Sequence, residues 1–139
     1  MRTVQKTLRI PHDIVNSIKD MADAFDRDFS TVVNELLAES VKIRRCPGIL
    51  FADGPSSRRA ILAGTGLDVW EVIATYKSLA RDVVRLRRAY HWLDEAQLRA
   101  VLGYYAAYPD EIERRIARND AWTKEKLARQ HPSLNPDWS

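Results

Sequence analysis

Residues 3–10 read TVQKTLRI, and this stretch decides how the first third of the chain is organised. In an extended chain its apolar side chains share one face: Val4, Leu8 and Ile10. The opposite face carries polar side chains: Gln5, Thr7 and Arg9. Lys6 interrupts the apolar face, and Pro11 follows with no N–H to donate and a fixed φ that suits the start of a helix. The alternation predicts a strand over 3–10 that is followed at once by a helix.

Two helical patterns come after this strand. The first has apolar residues three and four positions apart: Ile14, Ile18, Met21, Ala22 and Phe25. Asp28 is the expected N-cap of the second helix, after a break at 26–28. The apolar stripe of that helix consists of Phe29, Val32, Val33, Leu36, Leu37 and Val41. Arg44 and Arg45 have charges that suit its C-terminus.

One strand and two helices do not make an independent fold. A single strand has no hydrogen-bonding neighbour, and a chain of about 45 residues buries too little apolar surface to fold alone. A second copy solves both problems, because the two strands then pair antiparallel and four helices pack beneath them. Residues 1–45 are therefore predicted to form an obligate homodimer.

The order KTLRIP, a helix of about 14 residues, a polar turn and a second helix resembles the ribbon-helix-helix family of DNA-binding proteins (Arc-, MetJ- and CopG-like). In that family a two-stranded ribbon enters the major groove of DNA. Two positions depart from the family pattern: Asp26 stands where glycine is usual, and Lys6 stands where an apolar residue is usual. The resemblance implies a dimeric DNA-binding domain over 1–45.

The outward face of the ribbon is the predicted reader of bases: Gln5, Thr7 and Arg9. Arginine pairs with guanine and glutamine with adenine in the major groove. Predicted phosphate contacts come from two cations and from the start of the second helix, where amides and the helix dipole favour anions: Arg2, Lys6, Phe29, Ser30 and Thr31. The alternatives are a merely solvated ribbon face and an ordinary capped helix.

Residues 47–66 predict a hairpin with strands near 49–51 and 60–62 and a turn at 53–57. Helical patterns follow as far as 119. Asp68 is an expected N-cap, and Asp94 and Gln97 have the spacing of a capping box. Pro109 is expected to end one helix and open the next.

Four stretches of this middle block resemble a helical domain found in VapB-like antitoxins: GILFADGP, RRA, GTGLDVWEVI and YHWLDEAQLRAVLGYYAAYPDEIERRI. That domain is described as helix-turn-helix-like and is often encoded beside a PIN-like ribonuclease toxin. The resemblance implies a toxin partner for residues 46–119, which form the second expected domain.

Other residues have two open interpretations. Arg81, Arg85 and Arg88 share one helix face and form either a second basic surface or a solvated one. The expected tail, 120–139, holds a short helix and two prolines, and its Trp122 and Trp138 either bind a partner or dock on the chain itself. Five further aromatic residues have helical spacing that favours core packing over base stacking: Tyr90, Trp92, Tyr104, Tyr105 and Tyr108.

Composition excludes several classes of protein. The chain has 139 residues, a net charge of +3 and one cysteine, Cys46. These values exclude a disulfide framework and favour a cytoplasmic protein, and the sequence has no apolar run that would span a membrane. The histidines (His12, His91 and His131) have no catalytic or metal-binding spacing, so we expect no enzyme, metal or cofactor.

Together these features predict a mainly helical chain, with a ribbon-helix-helix domain followed by a small hairpin and a helix-turn-helix-like domain. The expected function is a dimeric repressor that binds an operator in double-stranded DNA. It is also expected to be the antitoxin of a toxin–antitoxin pair. Two alternatives stay open. One is a protein-interaction module that uses the ribbon only to dimerise. The other is a regulator that has no toxin, whose middle domain senses a ligand or forms a higher homo-oligomer.

Overall fold

The computed structural model describes residues 2–55 and 57–130. These residues form six helices and one two-stranded antiparallel sheet, so the prediction of a mainly helical chain is confirmed. In chain order the elements are α1 (His12–Ala24), α2 (Phe29–Arg45), β1 (Ile49–Ala52), β2 (Arg59–Leu62), α3 (Val69–Ser78), α4 (Val83–Ala89), α5 (Glu95–Ala107) and α6 (Pro109–Gln130). The chain divides into two compact units, unit 1 up to Lys42 and unit 2 from Ile43 onward.

The strand expected over 3–10 is not formed in the single chain, where residues 2–11 are irregular. A strand needs a hydrogen-bonding neighbour, and the described part of unit 1 contains no second extended segment. The two predicted helices are present as α1 and α2. The ribbon therefore stays a prediction that depends on a second copy of the chain.

The turn between α1 and α2 explains the departure from glycine at Asp26. This residue has φ +50°, in the left-handed region that glycine favours and that Asp tolerates better than most residues. The Arg27 N–H donates to the Ala22 carbonyl at 2.8 Å, which caps α1. Arg27 then makes two hydrogen bonds, 2.9 and 3.2 Å long, to the Glu35 carboxylate in α2. The turn is thus bonded to the helix that follows it.

Unit 1 has a very small core. Its buried residues are Ile18, Ala22 and Val32, with Phe29 and Val33 packed against them. Most of the apolar stripe identified in the sequence is exposed instead: Val4, Leu8, Ile14, Met21, Phe25, Leu36, Leu37 and Val41. Val4, Leu8 and Phe25 are 73%, 68% and 69% exposed. The single chain thus leaves the greater part of this unit's apolar surface in water.

Unit 2 begins with the predicted hairpin. Strands β1 and β2 pair antiparallel with Ile49 opposite Leu62 and Ala52 opposite Arg59, which confirms the expected strands. Gly48 has φ +96° just before β1, and a Cβ there would lie 3.2 Å from the Cβ of Ala100. A larger residue at 48 would meet both backbone strain and a close neighbour.

The hairpin and the helices of unit 2 enclose one apolar core, and α3 packs against α4, α5, α6 and β2. The largest fully buried side chains are Tyr104, Ile49, Leu62, Ile73, Leu86, Val69, Val72 and Val101. The Tyr104 hydroxyl donates a hydrogen bond to the Glu111 carboxylate, and burial raises the pKa of this tyrosine. Core packing is therefore the role of Tyr104, as its helical spacing predicts, but the same prediction was wrong for Trp92, which is 59% exposed.

Local signals in the sequence set the ends of α5 and α6. The Asp94–Gln97 capping box is confirmed by hydrogen bonds of 2.7 and 2.9 Å, and Pro109 opens α6 as expected. The break expected near 119–120 is absent, because α6 continues as one helix to Gln130 and its sequence holds no glycine or internal proline.

None of the described helices has the combination of length and apolar character needed to cross a bilayer.

Candidate nucleic-acid interface

The predicted base-reading residues lie in the irregular segment 2–11. Gln5, Thr7 and Arg9 are exposed, as are Arg2 and Lys6. The segment carries three positive charges and no negative one between residues 2 and 11. The structure therefore leaves all five side chains accessible, while the single chain does not arrange them on a shared face.

At the start of α2 the predicted phosphate site already holds a carboxylate. The Asp28 side chain accepts hydrogen bonds from the backbone N–H and the hydroxyl of Thr31, both at 3.2 Å. The expected N-cap is thus present, and it places a negative charge where a phosphate would sit. Ser30 is exposed, whereas Phe29 is half-buried against the core of unit 1. Of the three residues, Ser30 and Thr31 have side chains at the surface.

The arginine stripe predicted at 81, 85 and 88 is not a single helix face. Arg81 precedes α4 and has φ +58°, so its side chain leaves the helix and reaches α5. Its guanidinium donates to the Tyr105 hydroxyl at 3.3 Å and lies 5.8 Å from the centre of that ring. Arg85 is 3.7 Å from the Asp82 carboxylate, and Arg88 is exposed on α4. The prediction of one arginine face was wrong at Arg81, because the backbone before α4 is left-handed at this residue.

Trp122 lies on the second half of α6 and is 59% exposed. The Lys126 ammonium group sits 5.0 Å from the centre of its ring, which is a cation–π contact within the same helix. The residues that the structure describes provide no apolar pocket that takes up this indole. Trp138, the other predicted partner-binding tryptophan, lies outside the described residues.

Cys46 is buried, and burial raises the pKa of its thiol more than the neighbouring Arg45 lowers it. The two arginines before it in sequence therefore do not activate this thiol. Among the described residues no group of three His, Cys, Asp or Glu side chains is placed to hold a metal ion.

The structure also brings together arginines that sequence reasoning did not group. Arg58 and Arg59, beside and within β2, line the same cleft as three arginines of α6: Arg114, Arg115 and Arg118. The two sets are more than 50 positions apart in sequence, and only folding shows that they meet. The available signal was the i, i+4 spacing of Arg114 and Arg118, which puts both on one face of a helix.

Two surfaces are thus candidate binding sites. One is the N-terminal segment with α2 in unit 1, and the other is the arginine-lined cleft in unit 2. Both combine exposed positive charge with polar side chains, which suits a polyanionic ligand. Comparison with protein-family models, curated proteins and solved structures found no match to this chain.

Proposed function

We propose that the protein is a homodimeric DNA-binding repressor whose residues 1–45 form the dimer and contact DNA. The observation that carries this proposal is the exposed apolar surface of unit 1, which includes Val4, Leu8, Phe25 and Leu37. A monomer rarely leaves so many large apolar side chains in water, and extensive exposed apolar surface is typical of an interface. A second copy of the chain presents the same apolar surface, so the two copies can cover each other.

Pairing of residues 3–10 from two copies would supply the neighbour that each strand lacks. It would put Val4 and Leu8 against the helices, and Gln5, Thr7 and Arg9 on the opposite face. A two-stranded ribbon of this width fits the major groove. The resemblance to ribbon-helix-helix proteins supports the same assignment of base-reading residues.

Contact with the DNA backbone is proposed for Arg2, Lys6 and the start of α2. The first two supply charge without a neighbouring acid, and the exposed Ser30 hydroxyl supplies a hydrogen bond. The Thr31 hydroxyl would join it only by releasing its hydrogen bond to Asp28. Binding that depends on such contacts weakens steeply as salt rises. Asp28 opposes it, because its carboxylate is bonded at that helix end.

The second part of the proposal is that residues 46–139 bind and neutralise a PIN-like ribonuclease toxin, and that the operator lies in the protein's own promoter. This part rests on the resemblance to VapB-like antitoxins, including its helix-turn-helix-like character. The exposed indole of Trp122 supports a protein partner, since exposed tryptophans are common anchors in interfaces.

Two measurements test the first part. Light scattering after gel filtration gives the mass of the protein in solution, and a DNA titration with fluorescence anisotropy as the readout gives its affinity for DNA. The full chain should have twice the monomer mass of 16.0 kDa. It should bind a duplex from its own upstream promoter more tightly at about 50 mM than at about 200 mM salt, by tenfold or more. Arg9→Ala should lower the affinity and relax the preference for that duplex, whereas Arg99→Ala in unit 2 is the matched control.

A monomeric chain would contradict the dimer, and no binding at either salt would contradict the repressor. A dimer without DNA binding would favour the interaction module. The toxin is tested separately by co-expressing the neighbouring small reading frame and asking whether the two proteins purify together. The absence of such a frame would leave a regulator without a toxin.

A further inference from the structure

A cleft of about 170 Å³ lies in unit 2 between the hairpin and the first half of α6. Five arginines line it: Arg58, Arg59, Arg114, Arg115 and Arg118. Trp70 and Glu111 are also in its wall. The proposed function above makes no use of this cleft, and its residues do not belong to the surface of unit 1.

The walls of the cleft are held in place by a buried carboxylate. Asp68 is only 7% exposed, and its two oxygens bind different neighbours. One accepts a hydrogen bond from the Arg59 guanidinium, and the other accepts one from Trp70 Nε1 at 2.9 Å. Asp68 stands at the N-cap of α3 but does not use its side chain there. It instead orients two residues of the cleft.

The opposite wall is also fixed. Arg115 Nη2 in α6 donates to the backbone carbonyl of Arg58 at 3.0 Å, which joins the helix to the start of β2. Arg58 itself is paired with Asp53 at 2.9 Å. Because these bonds exist before any ligand arrives, Arg58, Arg59 and Arg115 need little ordering on binding.

Charge in the cleft is not balanced. Arg58 and Arg59 each have a carboxylate partner, and Arg115 is bonded to a neutral carbonyl. Arg114 and Arg118 are exposed on one face of α6 and make no hydrogen bond or ion pair with another described residue. The cleft wall also contains the negatively charged carboxylate of Glu111, which accepts a hydrogen bond from the Tyr104 hydroxyl. A multiply charged anion would neutralise the remaining guanidinium groups.

We propose that this cleft binds a phosphate group, held by Arg114, Arg115 and Arg118 of α6. Guanidinium groups bind phosphate through paired N–H donors and keep their charge at every physiological pH. The cleft is open to solvent and small, which suits a phosphate or pyrophosphate group rather than an enclosed apolar ligand. The phosphate belongs either to a small free molecule or to a nucleic-acid strand.

The test uses the full chain and the double variant Arg114→Ala/Arg118→Ala. The control is Arg99→Ala/Lys124→Ala, which removes the same charge from exposed positions outside the cleft. Two ligands are titrated: inorganic pyrophosphate by calorimetry, and a duplex of arbitrary sequence by anisotropy over a series of salt concentrations. The unfolding transition of each variant is recorded first.

If the phosphate comes from a small molecule, the chain binds pyrophosphate, and the cleft variant binds at least tenfold more weakly while the control changes less than twofold. If it comes from nucleic acid, pyrophosphate binding is absent, and the slope of log affinity against log salt falls by about two in the cleft variant only. Arg9→Ala should leave the pyrophosphate result unchanged, which separates this proposal from the proposed function.

The proposal is overturned if neither ligand responds to the cleft variant, or if the control loses as much affinity. Should the alanine pair not fold, Arg114→Lys/Arg118→Lys keeps both charges and removes the paired donors. That variant should still weaken pyrophosphate binding or lower DNA affinity, and unchanged binding of both ligands would again overturn the proposal.

Discussion

The ammonium group of Lys77 in α3 lies 2.6 Å from a carboxylate oxygen of Glu113 in α6. The other oxygen of this carboxylate accepts a hydrogen bond from the Tyr105 hydroxyl in α5. One side chain thus links three helices of unit 2. Because the bonds from Lys77 and Tyr105 favour the ionised form, they lower the pKa of Glu113.

Replacing Glu113 with glutamine should make stability less sensitive to acid. The folded state holds this carboxylate ionised at a lower pH than the unfolded state does. Its contribution is therefore present above the unfolded pKa of about 4.3 and is lost as pH falls through the folded pKa. Both partners are over a third exposed, so about 0.2–1 kcal/mol is expected at pH 7. Urea unfolding between pH 7 and pH 3 measures this.

The control for Glu113→Gln is Glu125→Gln, an exposed pair member further along α6. It should change the pH dependence much less. If Glu113→Gln and the wild type lose stability in parallel as pH falls, the carboxylate has no special role in the folded state.

Ala80→Gly should stabilise unit 2. Ala80 has φ +55°, and the Arg81 N–H donates to the Tyr76 carbonyl at 2.9 Å to close the end of α3. This is the position after a helix at which glycine avoids a cost of roughly 1–2 kcal/mol. Part of the gain is offset by the larger entropy of glycine in the unfolded chain, so about 0.5–1 kcal/mol is expected. Ala117→Gly, inside α6, should instead destabilise by about 1 kcal/mol. Urea unfolding at neutral pH measures both changes, and equal losses of stability would contradict the prediction.

Leu37→Glu should convert the proposed dimer into a monomer. Leu37 is 58% exposed in the single chain, so the change does not disturb the small core of unit 1, and it puts a charge into the surface that a second copy would cover. Gel filtration with light scattering at several protein concentrations checks it. Ala38→Glu, exposed on another face of α2, should remain dimeric. If Leu37→Glu remained dimeric, the dimer would use a different surface.

Asp28→Asn should strengthen DNA binding, a result that depends on the proposed function. Asparagine caps a helix about as well as aspartate, so the free energy of unfolding should change by less than about 0.5 kcal/mol. Loss of the charge at each α2 N-terminus should raise affinity about threefold or more. Anisotropy with the promoter duplex measures it, with Asp20→Asn on α1 as the control. Unchanged affinity would mean that no phosphate approaches this helix end, and weaker binding would equally contradict the prediction.

Local signals predicted much of the fold. The hairpin, the Asp94–Gln97 capping box, the start of α6 at Pro109 and the Asp28 cap each depend on residues close in sequence. The strand predicted over 3–10 is not formed in the single chain, and only the proposed dimer would supply its hydrogen-bonding partner. Neighbouring residues determine caps and turns, whereas an intermolecular ladder has no local cause.

The features that sequence reasoning missed come from distant contacts or from unusual backbone. The Asp68 side chain was expected to cap α3, but Arg59 and Trp70 compete for it once β2 lies beside α3. Arg81 was grouped with Arg85 because helical spacing assumes a continuous helix, and the left-handed turn breaks that assumption. The five-arginine cleft needs Arg58 and Arg59 to lie near α6, a placement that no pattern in either segment encodes.

The buried thiol of Cys46 gives this protein a reporter of its own opening. It is the one cysteine of the chain, it is 7% exposed, and burial raises its pKa, so a thiol reagent reaches it slowly while unit 2 stays closed. Labelling at neutral pH therefore follows the fraction of molecules in which the segment between α2 and β1 is open, with no engineered probe. The same chemistry, measured with and without DNA or pyrophosphate, would register whether a ligand slows that opening.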